Sequence, residues 1–291
     1  MAMKVIKPTR KSLVSGMFAP LPPDGDWLLL ELDAIAEGIQ PLWEAERSFF
    51  RPSSAGEECP RALTFDMAGH RTPRDARTMR VFATGRAIES NIIDELRRAK
   101  RLLSTNLRVK VNDFPFSGSY DALLRRPESI GGGEALGEIK SIREDLWEMI
   151  PLPKDLDTNR KTMLEHHRSY LCQWTVYMAA LKAEGHDIRD GFILFESKNT
   201  QRRKIYWMVP SDELYQLICR VHRTAWAAVQ QRMIAATPSG VDKKTGICKW
   251  CRRKYLCTKL PDEGCSYDVA KELDGKLRGE GASRKKSRAR A

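Results

Sequence analysis

Long apolar runs are missing from this chain. No stretch approaches the roughly 18 residues that a membrane-spanning helix requires. The opening Met1-Ala-Met-Lys-Val-Ile-Lys-Pro8 has no apolar core of a secretory signal. These absences point to a soluble, cytoplasmic protein. No G-x-x-x-x-G-K-[ST] loop occurs: Gly132 and Gly137 have the spacing, but the chain continues Glu138-Ile139, which argues against a built-in ATP motor. No helix-turn-helix or finger pattern is present to read base edges, so any nucleic acid would be recognised by backbone and end structure. Cysteine is sparse, with seven among 291 residues, and an odd count without a secretory signal argues against a disulfide framework.

What is present is an ordinary foldable composition, 42% hydrophobic with a formal net charge of +12, which excludes wholesale disorder, collagen and coiled coil. The basic excess is uneven. Residues 271–291 hold eight basic side chains against three acidic ones, and the first 24 residues carry Lys4, Lys7, Arg10 and Lys11. Two readings of these ends stay open. They are solvated disordered tails, or they are non-specific grips on phosphate, with Lys285, Lys286, Arg288 and Arg290 as contacts whose strength falls steeply with salt.

Periodicity gives the order of elements. Residues 1–24, with four prolines, read as a flexible basic lead, and 25–106 as a helical region. In it, Ser53 and Ser54 look like the N-cap of a helix carrying Cys59. A long helix over 74–103 presents Met79, Phe82, Ile88, Ile92 and Leu96 on one face. The period then changes to two. Strands are expected at 107–111, 116–124 and 135–142, with Gly131 to Gly133 as a hairpin connection. A helix over 161–184, a strand at 191–195, its hairpin partner at 203–209 and a helix over 212–236 follow. The reading is one α/β core over 107–236 with helical additions, a cysteine segment over 237–265 and a basic disordered tail from 266.

The chemistry-bearing residues sit on the second and third strands. Glu138 and Lys140 lie two apart on a strand and so share a face, and Asp121 ends the neighbouring strand. Two adjacent carboxylates repel unless a cation lies between them, and hard oxygen ligands suit Mg²⁺ or Mn²⁺. A lysine beside that cation can position or help deprotonate a water aimed at a phosphodiester. Acid, apolar, basic is also a common face of any amphipathic strand.

Asp121 followed by Glu138-Ile-Lys140 resembles the PD-(D/E)XK nuclease superfamily in its RecB-type branch, although Tyr120 stands where members have proline. Gln173-Trp-Thr-Val-Tyr177 has that branch's Gln-x-x-x-Tyr spacing, with both residues on one helix face. Gly85-Arg-Ala-Ile-Glu89 is similar to its Gly-x-x-x-His segment, with Glu in place of His. The resemblance covers roughly residues 55–260. It implies a restriction-endonuclease-like core of helix, three strands, helix and strand. It implies a Mg²⁺- or Mn²⁺-dependent DNA exonuclease acting on ends or single strands. Asp121, Glu138 and Glu89 would hold the metal, Lys140 would activate water, and Gln173 and Tyr177 would position substrate. The nearest likeness is to CRISPR-associated Cas-four nucleases and phage-borne relatives, whose partners act in CRISPR adaptation or phage recombination. A non-catalytic nucleic-acid-binding or assembly subunit that keeps the fold is the alternative.

Cys248-x2-Cys251-x5-Cys257 has metal-ligand spacing. Glu58-Cys59-Pro-Arg61 resembles the first-ligand segment of the branch's iron-sulfur nucleases, which implies that Cys59 joins the three late cysteines around a [4Fe-4S] cluster clasping both flanks of the core. Four thiolates suit Zn²⁺ as well, and Cys265 or His166-His167 could replace a ligand. Cys172 and Cys219 fall on helices and read as packed thiols.

Overall fold

The computed structural model describes residues 26–288 except 39, 42, 112, 113, 241–245, 250 and 252. The elements in chain order are α1 (Asp26–Glu37), α2 (Pro60–Met67), α3 (Ala76–Arg98), β1 (Leu102–Ser104), β2 (Arg108–Lys110), β3 (Ser117–Ser119), β4 (Ala122–Arg125) and β5 (Glu134–Ile142). Then come α4 (Glu144–Met149), α5 (Leu156–His166), α6 (Arg168–Ala183), β6 (Ile188–Ser197), β7 (Arg203–Met208), α7 (Asp212–Gln230) and β8 (Met233–Ile234). The last are α8 (Gly246–Lys249), α9 (Lys254–Cys257), β9 (Cys265–Ser266) and α10 (Tyr267–Arg288). The chain divides into two compact units, one from 1–41 with 73–84 and one from 42–72 with 85–291.

In the smaller unit, Gln40 both donates to the Arg74 carbonyl and accepts the Arg74 N–H, while Asp33 pairs with Arg80 at 2.6 Å. The Arg74 guanidinium lies over the Phe82 ring.

The larger unit is α/β, with a five-stranded mixed sheet in the order β1-β4-β5-β6-β7. Only β5 and β6 run parallel, as a chain that leaves through α4, α5 and α6 and returns beside its starting strand must. Two glycines let these strands meet closely. A Cβ on Gly191 would collide with the Leu136 carbonyl, and one on Gly137 would sit 2.5 Å from the Phe192 ring. Both faces are covered: Ile88, Ile92 and Ile93 of α3 pack with Ile139 and Leu194, and Trp174 and Met178 of α6 join the core that holds Leu136, Ile193 and Phe195. Alternation along β5 therefore sends Ile139 to one face and Glu138 to the other.

Several sequence-based boundaries are corrected. The expected strand 116–124 breaks at Tyr120–Asp121: β3 pairs with β2 in a separate two-stranded sheet, and only β4 joins the main sheet. The break is fixed by hydrogen bonds from the Asn106 N–H to the Tyr120 carbonyl and from the Thr105 hydroxyl to the Asp121 carbonyl. The helix expected over 161–184 is two, because the chain turns at His167 between α5 and α6. The helix 74–103 stops at Arg98, and Leu102 to Ser104 form a strand. Cys59, rather than Ser53 or Ser54, is the N-cap residue of α2, with Pro60 at its first position.

Gly131, Gly132 and Gly133 all take positive φ in the β4–β5 connection, as the hairpin reading required. Cys172 and Cys219 are buried thiols. The lead 1–24, the side chains of Lys285, Lys286 and Arg288, and Arg290 lie outside the described residues. The tail reading from 266 is revised where side chains are described. Tyr267, Ala270 and Asp274 are buried, and the first turns of α10 pack with α2 and α9 residues in a second core. Among the described residues no helix is long and apolar enough to cross a membrane.

A buried carboxylate pair beside a lysine

The break between β3 and β4 creates the site. β4 pairs with β5 no farther than Ala122 opposite Gly137. The Ile139 N–H beyond that point is taken by the Asp121 side chain, whose Oδ2 accepts it at 2.7 Å. The Asp121 carboxylate is thus locked against β5, beside Glu138. Glu138 is 0% exposed, and its Oε2 accepts no hydrogen bond. Its Oε1 is ion-paired with the Lys140 ammonium two residues along the strand.

Electrostatics reflects this crowding. Burial, then repulsion by Asp121, push Glu138 well above the usual carboxylate range, against the pull of Lys140. Asp121 is raised by burial too, opposed by Lys140 and the Ile139 N–H. Glu89, half-buried on α3, is raised by burial and by Asp121, so it feels the same charge cluster. Burial alone would lower Lys140, but Glu138 and Asp121 more than offset it and hold the ammonium charged.

Helix α6 closes the other side. Gln173 and Tyr177, one turn apart, are both buried, and Gln173 lies close enough to the Tyr177 hydroxyl to bias its acidity downward. That hydroxyl donates to the Ser119 carbonyl at 2.6 Å, at the end of β3 and two residues before Asp121. Tyr177 titrates above its ordinary range because it is buried, and because Glu138 and Asp121 face it. Gly85 allows α3 its approach, since a Cβ there would sit 3.1 Å from Ser141 Oγ on β5.

One contributor escaped the sequence reading. Tyr170, one turn before Gln173 on α6, sets its ring 5.4 Å from Lys140 Nζ and packs against Phe195 and His167. The signal was available: 170, 173 and 177 share a helix face.

Among the described residues, no three His, Cys, Asp or Glu side chains are arranged to hold a metal ion as they stand. For the carboxylates, the donor set still fits a hard cation. A buried carboxylate with an unbonded oxygen beside a second buried carboxylate is costly, and a divalent cation would relieve a crowding that one lysine offsets only in part.

For the cysteines, the expected clasp is not assembled as a ligand set. Cys59, Cys248, Cys251 and Cys257 form no disulfide and are partly exposed. Cys59 and Cys257 are near enough to influence each other, and burial pushes the Cys59 thiol up to about 11. Neither Cys265 nor His166-His167 completes the set among the described residues; Cys265 is buried opposite Ile234.

The flanks are nevertheless tied together by other bonds. Buried Arg61 donates to the Ala235 and Pro261 carbonyls at 3.2 and 2.8 Å, and Arg253 pairs with Asp66. Asp274 gathers Trp43 Nε1, the Tyr255 hydroxyl and Arg278 Nε at 2.7 to 3.0 Å, with His70 Nε2 3.1 Å from the same hydroxyl.

No family model matches the chain, and no curated protein matches it. Solved structures that resemble it distantly include the following two. One, described as the crystal structure of SSO0001, is 15% identical, with a TM-score of 0.41 over 75% of this chain and 90% of that one. The other, an alkaline exonuclease (LHK-Exo) from Laribacter hongkongensis, is 10% identical, with a TM-score of 0.40 over 69% of this chain and 94% of that one. Likenesses this remote decide neither family nor activity.

Proposed function

We propose that this protein is a divalent-metal-dependent nuclease that hydrolyses phosphodiester bonds in DNA. The observation that carries the reading is Glu138, a fully buried carboxylate with an unbonded oxygen, set against Asp121 and next to a charged lysine. Asp121 and Glu138 would hold Mg²⁺ or Mn²⁺, with Glu89 contributing from α3. Such an ion supplies neutralisation of the charge that develops on the phosphoryl oxygens, and acidifies water. Lys140, held charged, orients the attacking water or faces the phosphate. Tyr177, pinned to Ser119, and Gln173 shape the wall against which the strand lies. Exonucleolytic action on ends or single strands, in CRISPR adaptation or phage recombination, is the finer reading and rests on the motifs' resemblance.

Incubation of the purified protein with labelled linear DNA and Mn²⁺ tests this. Chelator-sensitive shortening is expected, and it is abolished by Glu138→Ala and by Lys140→Ala in variants that melt normally. The Lys140–Glu138 ion pair favours a second reading, a non-catalytic DNA-binding subunit in which the ammonium stands in for the cation. DNA that is retained but never shortened would establish it.

For the cysteines we propose a [4Fe-4S] cluster on Cys59, Cys248, Cys251 and Cys257, with Zn²⁺ as the alternative. The proximity of Cys59 to Cys257 and the bonded flanks that carry them support it. Anaerobically purified protein is expected to be brown, with iron and acid-labile sulfide. Colourless protein with stoichiometric zinc decides for the alternative.

A further inference from the structure

A cleft of about 380 Å³ is lined by Arg47, Phe49, Arg51, Arg108, Ser117 and Gly118 among others. None of these residues belongs to a motif discussed above. Their placement follows from two alternations. In Phe49-Phe50, Phe50 turns inward and is 1% exposed against Phe116 and His222, which sends Phe49 outward. On β2, Val109 is buried and Arg108 and Lys110 face out together. Lys110 Nζ covers one side of the Phe49 ring at 5.3 Å. The cleft is strongly basic. Among the described residues Arg51 and Arg108 make no ion pair, Arg108 bonds only the Ser117 hydroxyl at 2.8 Å, and Arg47 keeps a buried Nε without an acceptor although its tip pairs with Glu44.

Gly118 links the cleft to the carboxylates. A Cβ on it would sit 3.0 Å from the Tyr177 hydroxyl, so this wall residue packs against the side chain that faces Glu138 and Asp121. Along an extended chain Asp121 is no more than about 11 Å from Gly118. The volume falls at the lower end of small-ligand sites, roughly 300 to 1,000 Å³, the scale of a single nucleotide.

Building on the nuclease reading, we propose that this cleft holds one unpaired nucleotide of the substrate strand. Arg47, Arg51 and Arg108 take its phosphate, and Phe49 offers its ring to the base. Arginine forks suit phosphate, and aromatic stacking is indifferent to sequence. The cleft would thereby select unpaired strand and deliver the next linkage to Asp121 and Glu138.

Fluorescence anisotropy of a labelled 12-mer deoxyoligonucleotide and of the same sequence as a blunt duplex, in EDTA, tests the cleft without requiring turnover. The expected result is tighter binding of the single strand, weakened about tenfold or more by Phe49→Ala and by Arg51→Ala/Arg108→Ala. The double variant should also flatten the slope of log affinity against log salt by about 1.4, two phosphate contacts at about 0.7 each. Phe49→Leu, which keeps apolar volume, guards against a folding artefact and should weaken binding as well. Equal affinity for duplex and single strand, or an unchanged salt slope in the double variant, overturns the proposal. Wild-type protein that binds as expected but never cuts with Mn²⁺ overturns the catalytic reading and leaves the cleft standing.

Discussion

Asp121, just ahead of β4, satisfies a main-chain group on β5: its Oδ2 accepts the Ile139 N–H at 2.7 Å, where β4 no longer supplies a carbonyl. One carboxylate therefore closes the sheet and builds the anionic site together.

That double duty separates two substitutions. Asp121→Ala leaves the Ile139 amide without its acceptor and should destabilise by about 1–3 kcal/mol. Asp121→Asn retains an acceptor oxygen and should lose less than about 1 kcal/mol, while both variants lose nuclease activity. Urea denaturation beside a nuclease assay checks this; equal stability losses would contradict it.

Glu138 predicts a pH dependence of stability. Its folded pKa is raised by burial and by Asp121, so the native state holds a proton that the unfolded chain releases. Between the unfolded value near 4.5 and the raised folded value, native protein binds more protons, and its stability falls as pH rises. Glu138→Gln should gain more than about 1 kcal/mol at neutral pH in EDTA, since each tenfold change in an acidity constant on folding is worth about 1.4 kcal/mol. The gain should vanish below about pH 4. Paired melts across pH 3.5 to 8 read both limbs, and a gain independent of pH would refute the linkage. Divalent-ion affinity of the wild type should rise with pH over the same window.

Much of this site could be read along the chain. Asp121, Glu138, Lys140, Gln173 and Tyr177 do converge, because spacing of two on β5 and four on α6 translates directly into a shared face. The kink at Tyr120 was masked by its flanks: Phe116 and Leu123-Leu124 read as one strand across the weak strand formers Gly118 and Asp121, and the bonds from Thr105 and Asn106 fix the split. The turn at His167 was invisible for a similar reason, since no proline or glycine marks it. The basic look of the C-terminal region hid Tyr267, Ala270 and Asp274, whose burial depends on partners more than two hundred positions earlier, such as Trp43.

Tyr170 should act on turnover through Lys140. Tyr170→Leu removes the ring from beneath the ammonium and is expected to lower kcat/KM about two- to fivefold, the worth of an exposed cation–π contact. Tyr170→Phe should restore most of that loss. Steady-state rates of the two variants decide, and equal losses would assign the effect to the hydroxyl instead.

Asp274 is the hub on which the C-terminal flank depends. Burial pushes its pKa up, but hydrogen bonds from Tyr255, Arg278 and Trp43 outweigh this and keep it below its ordinary value. Asp274→Ala strands three donors at once and should cost about 3 kcal/mol or more. Hydrogen exchange should show α9 and the start of α10 opening before the central sheet. Uniform loss of protection across the sheet would mean that this flank is not a separate cooperative unit.

The parallel pairing of β5 with β6 sets a timetable for the nascent chain. Asp121 and Glu138 leave the ribosome early, yet the strand that walls in Glu138 from one side, with Ile193 opposite it, arrives only after α4, α5 and α6 have been made. Until then both carboxylates are hydrated and ordinary in acidity, and the cost of crowding them together has not been met. Under the proposed function competence would be a late product of synthesis, and a polypeptide released before β6 should carry Asp121, Glu138, Lys140, Gln173 and Tyr177 yet be inert.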